Sequence, residues 1–118
     1  MAILNLFKFV KDQVEFASGD VILTEDEPGT VMYVVLEGEV DVTHRGKYIE
    51  TVKAGSIVGE LALIDNHAHS ATAIAKTDCK LAPIDRQSFT FMVSETPFFA
   101  LEVMKIMADR LRRVRDQD

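Results

Sequence analysis

The chain has 118 residues, 47% of them hydrophobic and 27% charged, with 13 basic side chains against 19 acidic ones and a net charge of −6. This length suits one domain around one ordinary core, and the negative charge opposes general attraction to nucleic acid or anionic lipid, so neither is expected as a partner. No apolar run approaches the roughly 20 residues of a membrane helix, and Cys79, the single cysteine, has nothing to pair with, so the sequence reads as cytoplasmic.

In chain order, Met1 to Val10 are mostly apolar but lack a basic start and a small-residue cleavage site, so they read as a lead-in helix over residues 1–11 rather than a signal peptide. Residues 12–84 carry glycines at 19, 29, 38, 46 and 55, one every eight to ten residues, and that spacing suggests a barrel or sandwich of short strands. Val21-Ile22-Leu23 follows a Ser18-Gly19-Asp20 turn. Pro28-Gly29 suits a type II turn, with proline presetting the first φ and glycine taking the positive second one. Val31 to Leu36 is nearly continuous and β-branched, the pattern of a strand buried on both faces.

Beyond Gly38, Val40 and Val42 alternate with Glu39, Asp41 and Thr43, while Tyr48, Glu50 and Val52 alternate with Ile49, Thr51 and Lys53 about the Arg45-Gly46-Lys47 hairpin. Period two with polar partners predicts half-buried antiparallel strands. Next, Gly59-Glu60-Leu61-Ala62-Leu63 lies between Ile57-Val58 and a polar stretch from Asp65 to His67, which predicts about one turn of helix over 60–64. Its first amides would be free to meet a phosphate, and Glu60 beside them would repel one unless a donor such as a ribose hydroxyl occupied the carboxylate. Ala71, Ala73 and Ala75 share a strand face, leaving either room for a ligand or space for a bulky neighbour. Cys79 and Leu81 belong to the following strand.

From Asp85, an N-cap candidate, the period becomes helical and residues 85–116 read as helices. Phe89, Met92 and Val93 fall on one face. Thr96-Pro97 restarts the chain, with proline where its missing N–H does no harm. The long final helix carries more than one apolar stripe. Leu101, Met104, Ala108 and Leu111 have the spacing of a helix meeting its twin, so a parallel homodimer through residues 97–115 is expected, the alternative being burial under the amino-terminal segment. Arg110, Arg112, Arg113 and Arg115 sit where cations complement the helix dipole.

The β-roll glycines, the Tyr33 to Val40 segment, the cassette Gly59-Glu60-Leu61-Ala62-Leu63, Ser70-Ala71-Thr72 and a long helix with Arg110-Leu111 together resemble the cyclic nucleotide-binding domains of the catabolite activator and FNR group and of the cAMP-dependent kinase regulatory subunits. The resemblance runs from about Val14 to Arg113 and implies a mainly β fold: a double-stranded β-helix, or jelly-roll-like β-roll, flanked by helices and followed by a long carboxy-terminal one. It implies a sensor with cAMP or cGMP as ligand and no other cofactor. Gly59 would let the backbone approach the ligand, Glu60 would accept from the ribose, Leu61 and Ala62 would offer amides to the phosphate, and Ser70 and Ala71 would add a hydroxyl and another amide.

Where the family places an arginine, this chain has His69, and the preceding proline is Ala68. Arginine offers a permanent, two-pronged charge, whereas ordinary histidine is about one-quarter protonated at pH 7. The loss of a charge-assisted bond is worth about 1.5–3 kcal/mol, so binding is expected to be weak and, if His69 supplies the charge, to strengthen as pH falls from 8 to 6. Val114 and Arg115 also replace the small hydroxyl residues that reach the purine in the activator subgroup. The alternative is a degenerate dimeric module that binds no nucleotide. A cupin-like metal site at His67-x-His69 lacks the glutamate that should follow it, and no nucleophile or metal motif points to catalysis. The chain ends just past the long helix, so a separate protein partner is expected to receive any signal.

Overall fold

The computed structural model describes residues 12–116, and among these are eight strands and three helices. The lead-in helix expected over 1–11 lies outside the described residues. In order these are β1 (Val14–Phe16), β2 (Val21–Leu23), β3 (Val31–Glu37), β4 (Glu39–His44), β5 (Lys47–Lys53), β6 (Ile57–Val58), α1 (Glu60–Asp65), β7 (Thr72–Ala75), β8 (Cys79–Asp85), α2 (Arg86–Glu95) and α3 (Pro97–Asp116). The strands form two four-stranded antiparallel sheets, ordered β1-β8-β3-β6 and β2-β7-β4-β5. Most neighbours are distant in sequence, as in a β-roll.

The double apolar character of β3 has a direct cause. Val35, with half-buried Tyr33, packs with Val40, Val52, Ala73, Ala75 and Leu81 in one core, and Met32, Val34 and Leu36 pack on the helices in another. A strand sandwiched this way has no solvent face, so polar alternation disappears from its sequence. In the helix-side core, Phe99 and Val103 of α3 meet Ile57, Leu63 and Ile84. Phe99 also stands edge-on to Phe89 of α2, with ring centroids 5.4 Å apart. Burying a side chain of this size contributes about 2–3 kcal/mol. The first half of α3 is thereby pinned to the roll.

Helix starts follow local chemistry. Asp85 accepts from the Ser88 amide at 2.8 Å, and that hydrogen bond holds its carboxyl below the ordinary 3.8. Pro97 is the first residue of α3, but the turn is closed by the Thr96 carbonyl, which accepts from the Phe99 amide at 2.8 Å, rather than by the threonine hydroxyl.

Two expectations need correction. Gly29 does not have a positive φ, so Pro28-Gly29 is not the type II turn its sequence suggests. Glycine is needed there for space: a Cβ would lie 2.2 Å from the Ala62 Cβ and 2.8 Å from the His67 carbonyl oxygen. The second concerns β5. Val42 pairs with Glu50 and Thr43 with Tyr48, so Ile49 is an extra residue in a bulge. A bulge breaks the strict alternation of faces. Ile49 and Glu50, expected on opposite faces, therefore line the same cavity. Among the described residues no helix is long and apolar enough to cross a membrane.

Candidate functional site

A cavity of about 350 Å³ lies between the β2-β7-β4-β5 sheet, the α1 segment and the second half of α3. All seven residues singled out in the cassette, Gly59, Glu60, Leu61, Ala62, His69, Ser70 and Ala71, line it. Ala73 faces it too, while Ala75 is wholly in the core, so the row of small side chains borders open space at one end and packs tightly at the other.

No side chain caps the start of α1, and there the cassette is held by its neighbours. Gly59 has φ +82°, and a Cβ there would come 2.8 Å from Leu23 Cδ1, 3.2 Å from His69 Cε1 and 3.3 Å from the Val31 carbonyl oxygen. This glycine is required by the fold itself, whatever occupies the cavity. Gly29 lets α1 sit directly against the β2–β3 connection. The His69 amide donates to the Glu27 carbonyl at 2.9 Å and its own carbonyl accepts from the Asp26 amide at 2.8 Å, which fixes the backbone around the imidazole. At the cassette's far end, His44 Nδ1 lies 2.8 Å from the Ser70 carbonyl and so donates to it, and Thr72 Oγ1 donates to Glu25 at 3.1 Å.

His69 is buried, and its ring makes no hydrogen bond to any described residue. Burial pushes the imidazole below its ordinary 6.5, with Glu27 and Glu60 pulling it back only in part. At pH 7 the ring is therefore charged less often than the roughly one-quarter of an ordinary histidine. The expected pH window moves downward accordingly. His67, by contrast, is solvated beside Asp65 at 3.2 Å. No group of three potential metal ligands occurs among the described residues.

Arg110 is the residue whose role the sequence conceals. Instead of complementing the end of its helix, it reaches across the cavity edge and donates Nη1 to Glu60 Oε1 at 2.6 Å and Nη2 to the Ile57 carbonyl. Its Nε lies 3.2 Å from Glu50 Oε2, but that N–H is not aligned on the carboxylate and makes no hydrogen bond. Arg113 meets the other Glu50 oxygen at 3.2 Å. Glu60, only 4% exposed, thus has one oxygen paired and Oε2 without a hydrogen bond to any described residue. A buried carboxylate is tolerable only with such a partner. The signal for Arg110 was present as the series Met107, Arg110, Leu111 and Val114, a third helical stripe, all of which face the cavity.

The stripe expected to meet a second copy is mostly solvent-facing: Leu101 is 61%, Met104 54% and Leu111 72% exposed, with Ala108 half-buried. Leu111 also borders the cavity mouth, so it belongs to both surfaces.

The domain model for cyclic nucleotide-binding domains matches residues 13–96. Over 83 residues the chain is 35% identical to a cGMP-dependent protein kinase of Drosophila melanogaster, covering 70% of this chain and 8% of that protein. Over 80 residues it is 35% identical to the cAMP-dependent protein kinase regulatory subunit of Aspergillus niger, covering 66% of this chain and 20% of that one. The catabolite activator protein of Thermus thermophilus superposes with a TM-score of 0.79 over 95% of this chain and 60% of its own, at 23% identity, a likeness of fold. The chain belongs to the cyclic nucleotide-binding domain family. It spans a fifth or less of the two kinase-related proteins.

Proposed function

We propose that the chain is a regulatory sensor module that takes a cyclic nucleotide, cAMP or cGMP, or a ligand of that shape, in the cavity between the cassette and α3, weakly at neutral pH, and passes occupancy to a protein partner through α3. It works by binding rather than catalysis, in the cytoplasm. The observation that carries this reading is the Arg110–Glu60 pair: the distal half of α3 is fastened to the carboxylate that would meet a ribose. Glu60 Oε2 is the acceptor for the ribose hydroxyl, and the amides of Leu61, Ala62 and Ala71 with the Ser70 hydroxyl surround the phosphate. A cavity of about 350 Å³ is within the range of small-ligand sites.

An entering phosphate favours protonation of His69, which Glu27 and Glu60 also face. Affinity for a cyclic nucleotide therefore rises as pH falls below 7. Thermal shift with millimolar cyclic nucleotides and nucleosides at pH 6.0 and 7.5 tests the reading, since ligand at 100 times its dissociation constant adds about 2.7 kcal/mol. The expected shift disappears in Ala71→Leu, which fills the cavity. No shift with any compound favours the degenerate reading, for which the occupied Glu60 Oε1 and the uncharged His69 speak. Homodimerisation through Leu101, Met104, Ala108 and Leu111 is part of the proposal. Its test is light scattering after size exclusion, where Leu101→Arg is expected to yield monomer.

A further inference from the structure

We infer that at neutral pH the cavity selects an uncharged, hydroxyl-bearing ligand, a ribonucleoside in preference to its cyclic phosphate; this rests on the reading above that a ribose meets Glu60. Charge at the cavity wall carries the inference. The charged lining residues are Glu50, Glu60 and Arg110, two negative and one positive, so the wall has a net charge of −1 with His69 neutral. No lysine among the described residues lines it. Arg110 is already committed to the protein, which offsets most of its charge: one N–H of Nη1 is on Glu60, one of Nη2 on the Ile57 carbonyl, and Nε is enclosed beside Glu50. Arg113, outside the lining, is held by the second Glu50 oxygen.

A monoanion entering this wall loses hydration and meets net repulsion, and a partly enclosed site screens such repulsion poorly. The dipole of α1, six residues long, is a small counterweight. A nucleoside carries the same planar base and the same 2′-hydroxyl, but free 3′ and 5′ hydroxyls replace the cyclic phosphate. Glu60 Oε2, with no hydrogen bond to a described residue, suits the 2′ and 3′ hydroxyls as acceptor. The neutral His69 ring offers one donor and one acceptor, and Ser70 a rotatable hydroxyl, which a hydroxyl group can satisfy and a phosphate cannot fully use. The remaining wall, including Val42, Ile49, Ala73 and Met107, is apolar and fits a base.

The test is calorimetric titration of the full chain at pH 7.5 with adenosine, guanosine, cAMP and cGMP, at low and high salt. At least one nucleoside is expected to bind tenfold or more tightly than its cyclic phosphate, with an affinity indifferent to salt. His69→Arg is expected to gain tenfold or more for the cyclic phosphate and so to abolish or reverse the preference for the nucleoside. Glu50→Gln, which removes one negative charge without crowding the cassette, is expected to gain several-fold for the cyclic phosphate alone. Tighter binding of a cyclic phosphate to the unaltered chain overturns the inference and leaves the sensor reading standing. A chain that binds nothing until His69→Arg confers cyclic-phosphate binding overturns the inference as well, and favours the degenerate reading of the unaltered chain. Failure of all four compounds with the chain and both variants overturns both readings.

Discussion

The two halves of α3 are held by different forces. Near its start, Phe99 and Val103 are sunk in the helix-side core among Ile57, Leu63 and Ile84. Past Met107 the helix touches the roll across a cavity, and its firmest attachment there is the Arg110 guanidinium on Glu60 and the Ile57 carbonyl. Apolar burial is spread over many contacts and survives small displacements, whereas an ion pair with two hydrogen bonds is lost within a few ångströms. Under the proposed sensor function, the distal half is the part of the helix expected to move with the cavity's occupancy while the proximal half stays anchored.

Each end of this contrast can be broken. The largest effect is expected for Phe99→Ala, which should lose about 3–5 kcal/mol in urea unfolding and destabilise the whole domain. Arg110→Met leaves Glu60 buried without its partner and should cost about 2–3 kcal/mol, at or just below the low end for a broken buried pair because Arg110 is partly exposed. Amide hydrogen exchange is the sharper readout there. Protection should fall in residues 107–114 while 99–106 keep theirs, and equal loss in both segments would refute a separately moving half.

Gly29→Ala should cost about 1–3 kcal/mol by overpacking against Ala62, and it should also weaken ligand binding because α1 must shift away. Retention of normal stability would mean that the cassette is not braced by this turn. The smallest effect belongs to His69. Its folded pKa lies below the ordinary 6.5, so between those values the native state binds fewer protons than the unfolded chain. Stability is then complete above 6.5 and declines as pH falls through that window. His69→Gln should flatten this decline in urea titrations from pH 7.5 to 5, and an unchanged slope would exclude His69 as its source.

Much of the roll was legible before the structure. Alternation at Val40 and Val42 marked β4, the unbroken run at 31–36 marked a strand enclosed on both sides, and Asp85 and Pro97 marked helix starts. These signals are local, set by backbone conformation and by which faces are dry. The cassette was legible in the same way, because its residues are contiguous or nearly so. What escaped was long-range. The bulge at Ile49 depends on register between β4 and β5, and the true constraint on Gly29 is a close approach to Ala62, thirty-three residues away. The last-turn arginines were equally ambiguous, since a helix-end cation looks the same whether it faces water or a glutamate fifty residues back.

By itself the sequence determined the family, the order of strands and helices, the positions of the cassette residues and the absence of an arginine at position 69. Only the tertiary structure decided the electrostatics of the cavity. It buried His69 and so lowered its proton affinity, assigned the Arg110 guanidinium to Glu60, and brought Glu50 to the same wall. The physical reason is that charge in a partly enclosed site depends on distances and desolvation between residues far apart in the chain, which composition and spacing do not contain.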